Sequence, residues 1–430
     1  MKTKMALVLY YSKPNRYSFN ALVGAIETEE YFNDLKIYFP SSEDKLVGEL
    51  EGIIGEYRKV VVGISFATTQ LWETFRIVKK LKEKFSRKVV YVAGGPHPTG
   101  DPFGTLRIGF DIVVIGEGEE TFIDMLRKID NDEDYKTVKG IGFFDEQRKY
   151  HYTGRRAWIN LGKYPPFAAK HTKFGPIEIT RGCPYVCYFC QTPFLLGGRP
   201  RHRSVEMICE YVQIMKEKNL TDFRAITPNA LSYGSPDGKK LDVSKLEELL
   251  SSIRKVLNPS GRIFIGSFPS EVRPEHVTKE TIDLLLKYAN NDNLIIGAQS
   301  GSQKILDLCH RGHTVEDVFN AVELTLTAGL KANVDFIFGL PEENEEDINL
   351  TIKAMRDLLK MGARIHAHTF MPLPQTPFAK SPAGWISEDL RKIIRELPKG
   401  VIYGDWVEQE RIAKRIAKYL RTGKLKGQKR

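Results

Sequence analysis

The stretch Ile179-Thr180-Arg181-Gly182-Cys183-Pro184-Tyr185-Val186-Cys187-Tyr188-Phe189-Cys190 holds three of the chain's five cysteines, spaced Cys183-x3-Cys187-x2-Cys190. Three thiols so close can serve three chemistries. A disulfide would leave one cysteine unpaired and would need an oxidising compartment. A structural zinc site wants four ligands, commonly as two pairs. No second Cys-x2-Cys or His-x3-His pair is present, although His171 and His202 flank the loop and either could be a fourth donor. An iron–sulfur cluster normally takes four thiolates. Three on a four-iron cluster would leave one iron with open positions for a substrate or cofactor.

Two series of alternating elements must position this loop. In the first, Val60–Ile64, Val89–Ala93 and Ile112–Ile115 are continuous apolar runs separated by helical spacing, for example over Leu71–Phe85. Runs apolar on both faces predict a parallel sheet covered on each side, with ligands at the carboxyl ends of its strands. Those ends carry Ser65, Thr68 and Thr69, then Gly94-Gly95-Pro96-His97, then Gly116-Glu117-Gly118. This domain is expected over residues 1–130. Residues 131–172, with Gly140, Gly142, Gly154 and Pro165-Pro166, read as a short hairpin and linker.

The second series has six candidate strands starting near Ile177, Phe223, Ile263, Leu294, Ala332 and Ile365, with helices over about 204–218 and 343–360. Six such units predict a partial barrel of parallel strands over residues 173–400. The cysteine loop follows the first strand, on the face where barrel active sites form. Residues 401–430 are expected to be a basic tail.

Hydrophobic content of 42% and charged content of 27% suit a globular protein. No apolar run reaches the ~18 residues that would span a bilayer, and the N-terminal Met1–Tyr10 reads as a strand rather than a leader. Sparse cysteine points to a reducing cytoplasm. The net charge of +10 is concentrated at the end: Arg411 to Arg430 holds nine basic residues and no acid. A solvated helix fraying into a polar end accounts for it, while contact with a nucleic acid or membrane surface is the alternative.

The cysteine loop, including Phe189 before the last cysteine, resembles the signature of the radical S-adenosylmethionine (SAM) superfamily. The resemblance continues through Thr227-Pro228-Asn229, through Gln299-Ser300-Gly301-Ser302 with Arg311-Gly312-His313-Thr314, and through Ile337-Phe338-Gly339-Leu340-Pro341 to Phe370–Pro377. It departs at the second strand, where Gly-Gly-Glu is often seen. The resemblance implies a [4Fe-4S] cluster on Cys183, Cys187 and Cys190, with SAM chelating the open iron. It also implies SAM contacts from Phe189, Thr227, Asn229, Ser267, Gln299, Ser300, Arg311 and Ile337. Reductive cleavage to a 5′-deoxyadenosyl radical is the implied chemistry, driven by an external donor such as ferredoxin or flavodoxin. Cys209 and Cys309 are expected to be small buried apolar residues.

The first domain resembles the cobalamin-binding domains found ahead of such barrels. That implies an α/β architecture, a Rossmann or flavodoxin-like B12-binding domain followed by a partial (β/α)6 TIM-type radical SAM barrel. Cobalamin contacts are implied at Ser65, Thr68, Thr69, Gly94, Gly95, Pro96, His97, Gly116, Glu117 and Gly118. The Asp-x-His-x-x-Gly motif that gives cobalt a histidine in many cobalamin proteins is absent, since Tyr10–Tyr17 contains none. The leading expectation is a cobalamin-dependent methyltransferase acting on an unactivated carbon. Alternatives are a cobalamin-using rearrangement or ring closure, or a cobalamin-free radical enzyme. A tRNA methylthiotransferase would need three N-terminal cysteines, and the first 182 residues have none. A cluster-based sensor with a nucleic-acid-binding tail is the non-enzymatic reading.

Overall fold

Val60, Val61, Val62 and Ile64 are almost wholly buried because their strand is covered on both faces, as a central parallel strand must be. The computed structural model describes residues 3–85, 88–398 and 400–425. The chain divides into two compact units, Met1–Gly175 with Thr422–Arg430, and Pro176–Arg421.

The first unit holds seven strands: β1 (Thr3–Leu9), β2 (Lys36–Tyr38), β3 (Tyr57–Ser65), β4 (Val89–Gly94), β5 (Ile112–Val114), β6 (Ile141–Phe144) and β7 (Tyr150–Tyr152). They lie in the order β2-β1-β3-β4-β5-β6-β7. The first five are parallel, an arrangement of flavodoxin type whose order reverses between β1 and β3. Helices show why the sequence folds this way. Glu43–Ile53 starts where the Ser42 side chain accepts from the Lys45 amide, and it buries Leu46, Leu50 and Ile53 at helical spacing.

The segment expected to be a linker is part of this unit. β6 pairs antiparallel onto β5, and β7 antiparallel onto β6. Ile141, Phe143, Ile159, Leu161, Tyr164 and Ala168 join the core of Leu7, Leu9 and Phe122. The apolar runs are three and four residues long and broken by Gly142, too short for the periodicity to reveal that they were buried. The first unit therefore extends past residues 130 and 172 to Gly175.

The second unit contains β8 (Ile177–Glu178), β9 (Thr180–Arg181), β10 (Arg201–His202), β11 (Asp222–Ile226), β12 (Arg262–Phe264), β13 (Asn293–Gln299), β14 (Lys331–Phe338), β15 (Arg364–Thr369) and β16 (Ile402–Tyr403). β8, β11 and β12 are parallel neighbours, and β13 to β16 form a second parallel run. A parallel bridge between Val272 and Ile296 joins the two runs. All six expected strands are present in sequence order, giving the partial barrel. The helix Glu345–Met361 has Asn344 and Asp347 in a capping box, three acids in its first turn and left-handed Gly362 at its end.

The C-terminal expectation needs correction. β16 is a seventh parallel strand, and Trp406–Thr422 is a helix that buries Ala413, Ile416 and Tyr419. Its charges are partly paired, Arg411 with Glu408 and Lys414 with Glu410. Residues 401–421 thus complete the barrel rather than trail from it. Lys426, Lys429 and Arg430 of the expected tail, like Met1 and Lys2 of the expected first strand, lie outside the described residues. Among the described residues no helix is long and apolar enough to cross a membrane.

Candidate functional site

The cysteine loop is held at its base by the antiparallel pair β9 and β10. Gly182 adopts φ +92, and a Cβ there would stand 2.3 Å from the Arg199 carbonyl oxygen, so only glycine closes the loop. Backbone bonds then shape the turn: Cys183 N–H donates to Gly197, Cys190 N–H to Cys187, and Tyr188 N–H to Cys309. Burial pushes the Cys183 thiol up, and pushes the Cys190 thiol up to about 11. Cys183 and Cys190 therefore hold their protons until a metal replaces them. Arg311 Nη1 approaches Cys187 Sγ at 3.7 Å, while its Nη2 donates to the Gly297 carbonyl at 2.8 Å.

Neither flanking histidine completes a zinc site as built. Both ring nitrogens of His202 are engaged, Nδ1 with Thr180 Oγ1 at 2.8 Å and Nε2 with the Ser235 carbonyl at 2.9 Å. His171 belongs to the first unit, bonded to Glu27. Cys309 is buried, and Cys209 is half-buried on its helix.

The three cysteines open onto a cavity of about 430 Å3 at the carboxyl ends of the barrel strands. Phe189, Thr227, Gln299, Arg311 and Ile337 line it with them. Gln299 reaches the cavity from a register shift in β13, with φ +73, the kind of backbone strain that collects at functional sites. Three other expected contacts are not on the lining. Asn229 bonds His276 through its side chain at 2.6 Å. The Ser300 hydroxyl meets Thr351 Oγ1 at 3.3 Å and accepts from Ser302 N–H. Ser267 is buried with its hydroxyl unpartnered. Asn229 and Ser300 thus brace the wall rather than face the cavity.

Several lining residues escaped sequence reasoning. Glu271, Asp335, His368 and Gln409 stand on the wall. Burial, and then the charge of Asp335, pushes the Glu271 carboxyl up to about 7. Asp335 and His366 are register partners on β14 and β15, joined Oδ1 to Nδ1 at 3.0 Å. The available signal was alternation: Asp335 and Ile337 on β14, and His366 and His368 on β15, sit two residues apart and share the interior face.

In the first unit the expected residues stand at the carboxyl ends of β3, β4 and β5. The hydroxyls of Ser65 and of Ser12, the latter missed, are buried without a partner. The Cβ directions of Gly94 and Gly116 meet nothing within 4 Å. Orphaned hydroxyls beside open glycine faces fit a bulky nucleotide-bearing cofactor. Gly95 differs, because its φ of +98 and a Cβ only 2.7 Å from Ser65 Oγ make it a turn requirement. Gly118 is likewise filled, since a Cβ there would strike Leu22. His97 is fully buried, its Nδ1 3.1 Å from Thr68 Oγ1 and its ring against Phe66. Burial pushes its pKa down to about 4, so His97 and Thr68 stabilise the strand end in a neutral pair. Glu117 accepts from the Ile159 amide at 2.8 Å, tying down the segment that follows β7. Thr69 is exposed and Pro96 half-buried.

Residues 177–355 match the profile of the radical SAM superfamily, and residues 33–126 match that of the B12 binding domain. An uncharacterized methyltransferase of Pyrococcus horikoshii is 26% identical over 354 residues, covering 79% of this chain and 72% of that protein. Among solved structures, the radical S-adenosylmethionine methyltransferase TsrM from Kitasatospora setae, with cobalamin and a [4Fe-4S] cluster bound, aligns over 88% of this chain and 78% of its own. Its TM-score is 0.68 at 17% identity. The cobalamin-dependent S-adenosylmethionine radical enzyme OxsB aligns over 83% of this chain and 52% of its own, with TM-score 0.64 and 17% identity. At that identity the two likenesses are of fold.

Proposed function

The chain joins a B12-binding domain to a radical SAM domain, and on that premise we propose that it is a cobalamin-dependent radical SAM methyltransferase acting on an unactivated carbon. The observation that carries the reading is the cysteine loop opening on the barrel cavity. It offers three sulfurs to a cluster that has four irons, and the cavity beside them has room for SAM to take the remaining position. A bound cluster with SAM would supply radical chemistry at carbon, and a bound cobalamin would supply methyl-carrying capacity.

The chain's own residues bind and orient. Arg311 brings a buried positive charge against Cys187 and into the cavity, where it suits both a thiolate-bound cluster and a carboxylate. Glu271 and Asp335 offer carboxyl oxygens to a ribose diol. Phe189, Ile337, Phe370 and Leu373 supply apolar wall that excludes water. At the first sheet, Ser65 and Ser12 offer hydroxyls while Gly94 and Gly116 leave room for the nucleotide tail. The electron comes from an external donor such as ferredoxin or flavodoxin, in a reducing compartment.

The test is anaerobic reconstitution followed by reduction with labelled SAM. The reading expects 5′-deoxyadenosine as a product and the SAM methyl group transferred to the bound corrinoid. Cleavage without any methyl on the corrinoid would reduce the chain to a radical SAM enzyme that uses cobalamin otherwise.

A further inference from the structure

Across the barrel interior, Gly297, Asp335, His366 and Tyr403 are register partners on four successive strands. His368 stands two residues beyond His366 on the cavity wall, with the two imidazole centroids 4.2 Å apart. Asp335, His366 and His368 bring their donor atoms within 4.8 Å of one another, close enough for a metal ion. The decisive contact is Gln409, from the helix that follows β16. Its Oε1 accepts from the Thr369 amide at 2.8 Å, which turns its NH2 toward His368 Nδ1 at 3.3 Å. An NH2 can only donate, so Nδ1 carries the lone pair and the ring proton sits on Nε2. That nitrogen has no hydrogen-bond partner among the described residues. A metal ligand needs the opposite arrangement, an acceptor behind the imidazole, so the cluster is not built for an ion.

We propose that His368 is the substrate-orienting residue of the barrel, donating Nε2–H to an acceptor oxygen of a small, largely apolar substrate, with Gln409 fixing its tautomer. The inference rests on the methyltransferase reading for which molecule occupies the cavity. The neighbouring wall is Ile337, Phe370, Met371 and Leu373, which suits an apolar body carrying one carbonyl or carboxylate. His366 is engaged by Asp335 and stacked on Tyr403 at 4.7 Å. Burial pulls the His368 pKa down, which keeps that ring neutral and its tautomer meaningful. Gln409 is a positioning residue, brought to the site by the C-terminal helix.

Two measurements test this. In the full chain labelled with 15N-histidine, long-range proton–nitrogen correlation should place the His368 proton on Nε2. Gln409→Glu should move it to Nδ1, because a carboxylate accepts where the amide donated. A wild-type proton on Nδ1, or a tautomer indifferent to Gln409→Glu, overturns the proposal. The second measurement supplies the reconstituted enzyme with methyl-labelled SAM and a small-molecule extract of the source cells. The readout is the ratio of label entering extract molecules to 5′-deoxyadenosine formed. His368→Leu should lower that ratio about ten- to hundredfold, the loss expected for one unpaired acceptor. His368→Gln, whose amide reaches the same place, should restore most of it. An unchanged ratio in His368→Leu overturns the proposal. A wild-type enzyme that labels nothing defeats the methyltransferase reading instead, and the tautomer measurement, which needs no substrate, then decides the donor role alone.

Discussion

Arg311 Nη1 lies 3.7 Å from Cys187 Sγ, and the same guanidinium donates through Nη2 to the Gly297 carbonyl at 2.8 Å. One planar fork therefore couples the cysteine loop to β13. A lysine cannot span both contacts. Arg311→Met and Arg311→Lys should each lower SAM cleavage about tenfold or more per cluster, measured as 5′-deoxyadenosine formed per iron retained. If Arg311→Lys performs like wild type, a point charge is enough and the fork is incidental.

The three loop cysteines and the two outer ones should separate cleanly. Cys183→Ala, Cys187→Ala and Cys190→Ala should each abolish the visible absorbance of the reconstituted cluster. Cys209→Ala and Cys309→Ala should keep about four irons per chain, the complement of a [4Fe-4S] cluster. Cys309 is 1% exposed, so its replacement is expected to cost stability rather than iron. An iron content that depends on either outer cysteine would mean that the donor set is wrongly assigned.

How far the sequence revealed this site depends on pattern length. The six expected strands were legible because runs such as Leu294–Ala298, and Val334–Phe338 apart from Asp335, are apolar and sit in strands of seven and eight residues. β16 is two residues long after a glycine, and no periodicity can be seen in two residues. Gln409 was hidden for a different reason. It is a lone glutamine on a charged helix, and only the fold brings it beside Thr369. Asn229 and Ser300 show the converse, polar residues in motif positions whose partners are His276 and Thr351. Glu271 was readable only as one acid in a turn-rich stretch, and the carboxyl of Asp335 opposite gives it meaning.

His97 should make the first unit sensitive to acid. Its folded pKa is depressed to about 4 from 6.5 by burial, so the unfolded chain binds more protons between those values. The stability that comes from keeping it neutral is complete above pH 6.5 and is lost as pH falls toward 4. Compared with His97→Gln, the wild type should lose up to roughly 1.4 kcal/mol per pH unit in that window. Urea unfolding of the apo chain across the same range measures it. Parallel pH profiles for the two proteins would refute the burial argument.

Truncation before Arg411 should be damaging. It removes Ala413, Ile416 and Tyr419, which the helix buries, and leaves Gln409 at a frayed end. The truncated chain is expected to unfold at lower temperature and to lose SAM cleavage, whereas ending the chain after Leu425 should preserve both. Calorimetry and 5′-deoxyadenosine assays read the two effects. A fully active chain ending at Glu410 would show that the helix adds nothing to the site.

The most direct test of the whole account is equilibrium binding of hydroxocobalamin to the full chain. The strand-end glycines Gly94 and Gly116 leave open space, Ser12 and Ser65 hold unpartnered hydroxyls, and His97 is committed to Thr68. About one equivalent should bind, with the spectrum of cobalt not ligated by histidine, because the loop after β1, Tyr10–Tyr17, holds no histidine. Gly94→Leu should abolish that binding while the cysteine loop still loads iron. Failure of the wild-type chain to bind cobalamin, or a histidine-ligated spectrum, would contradict it.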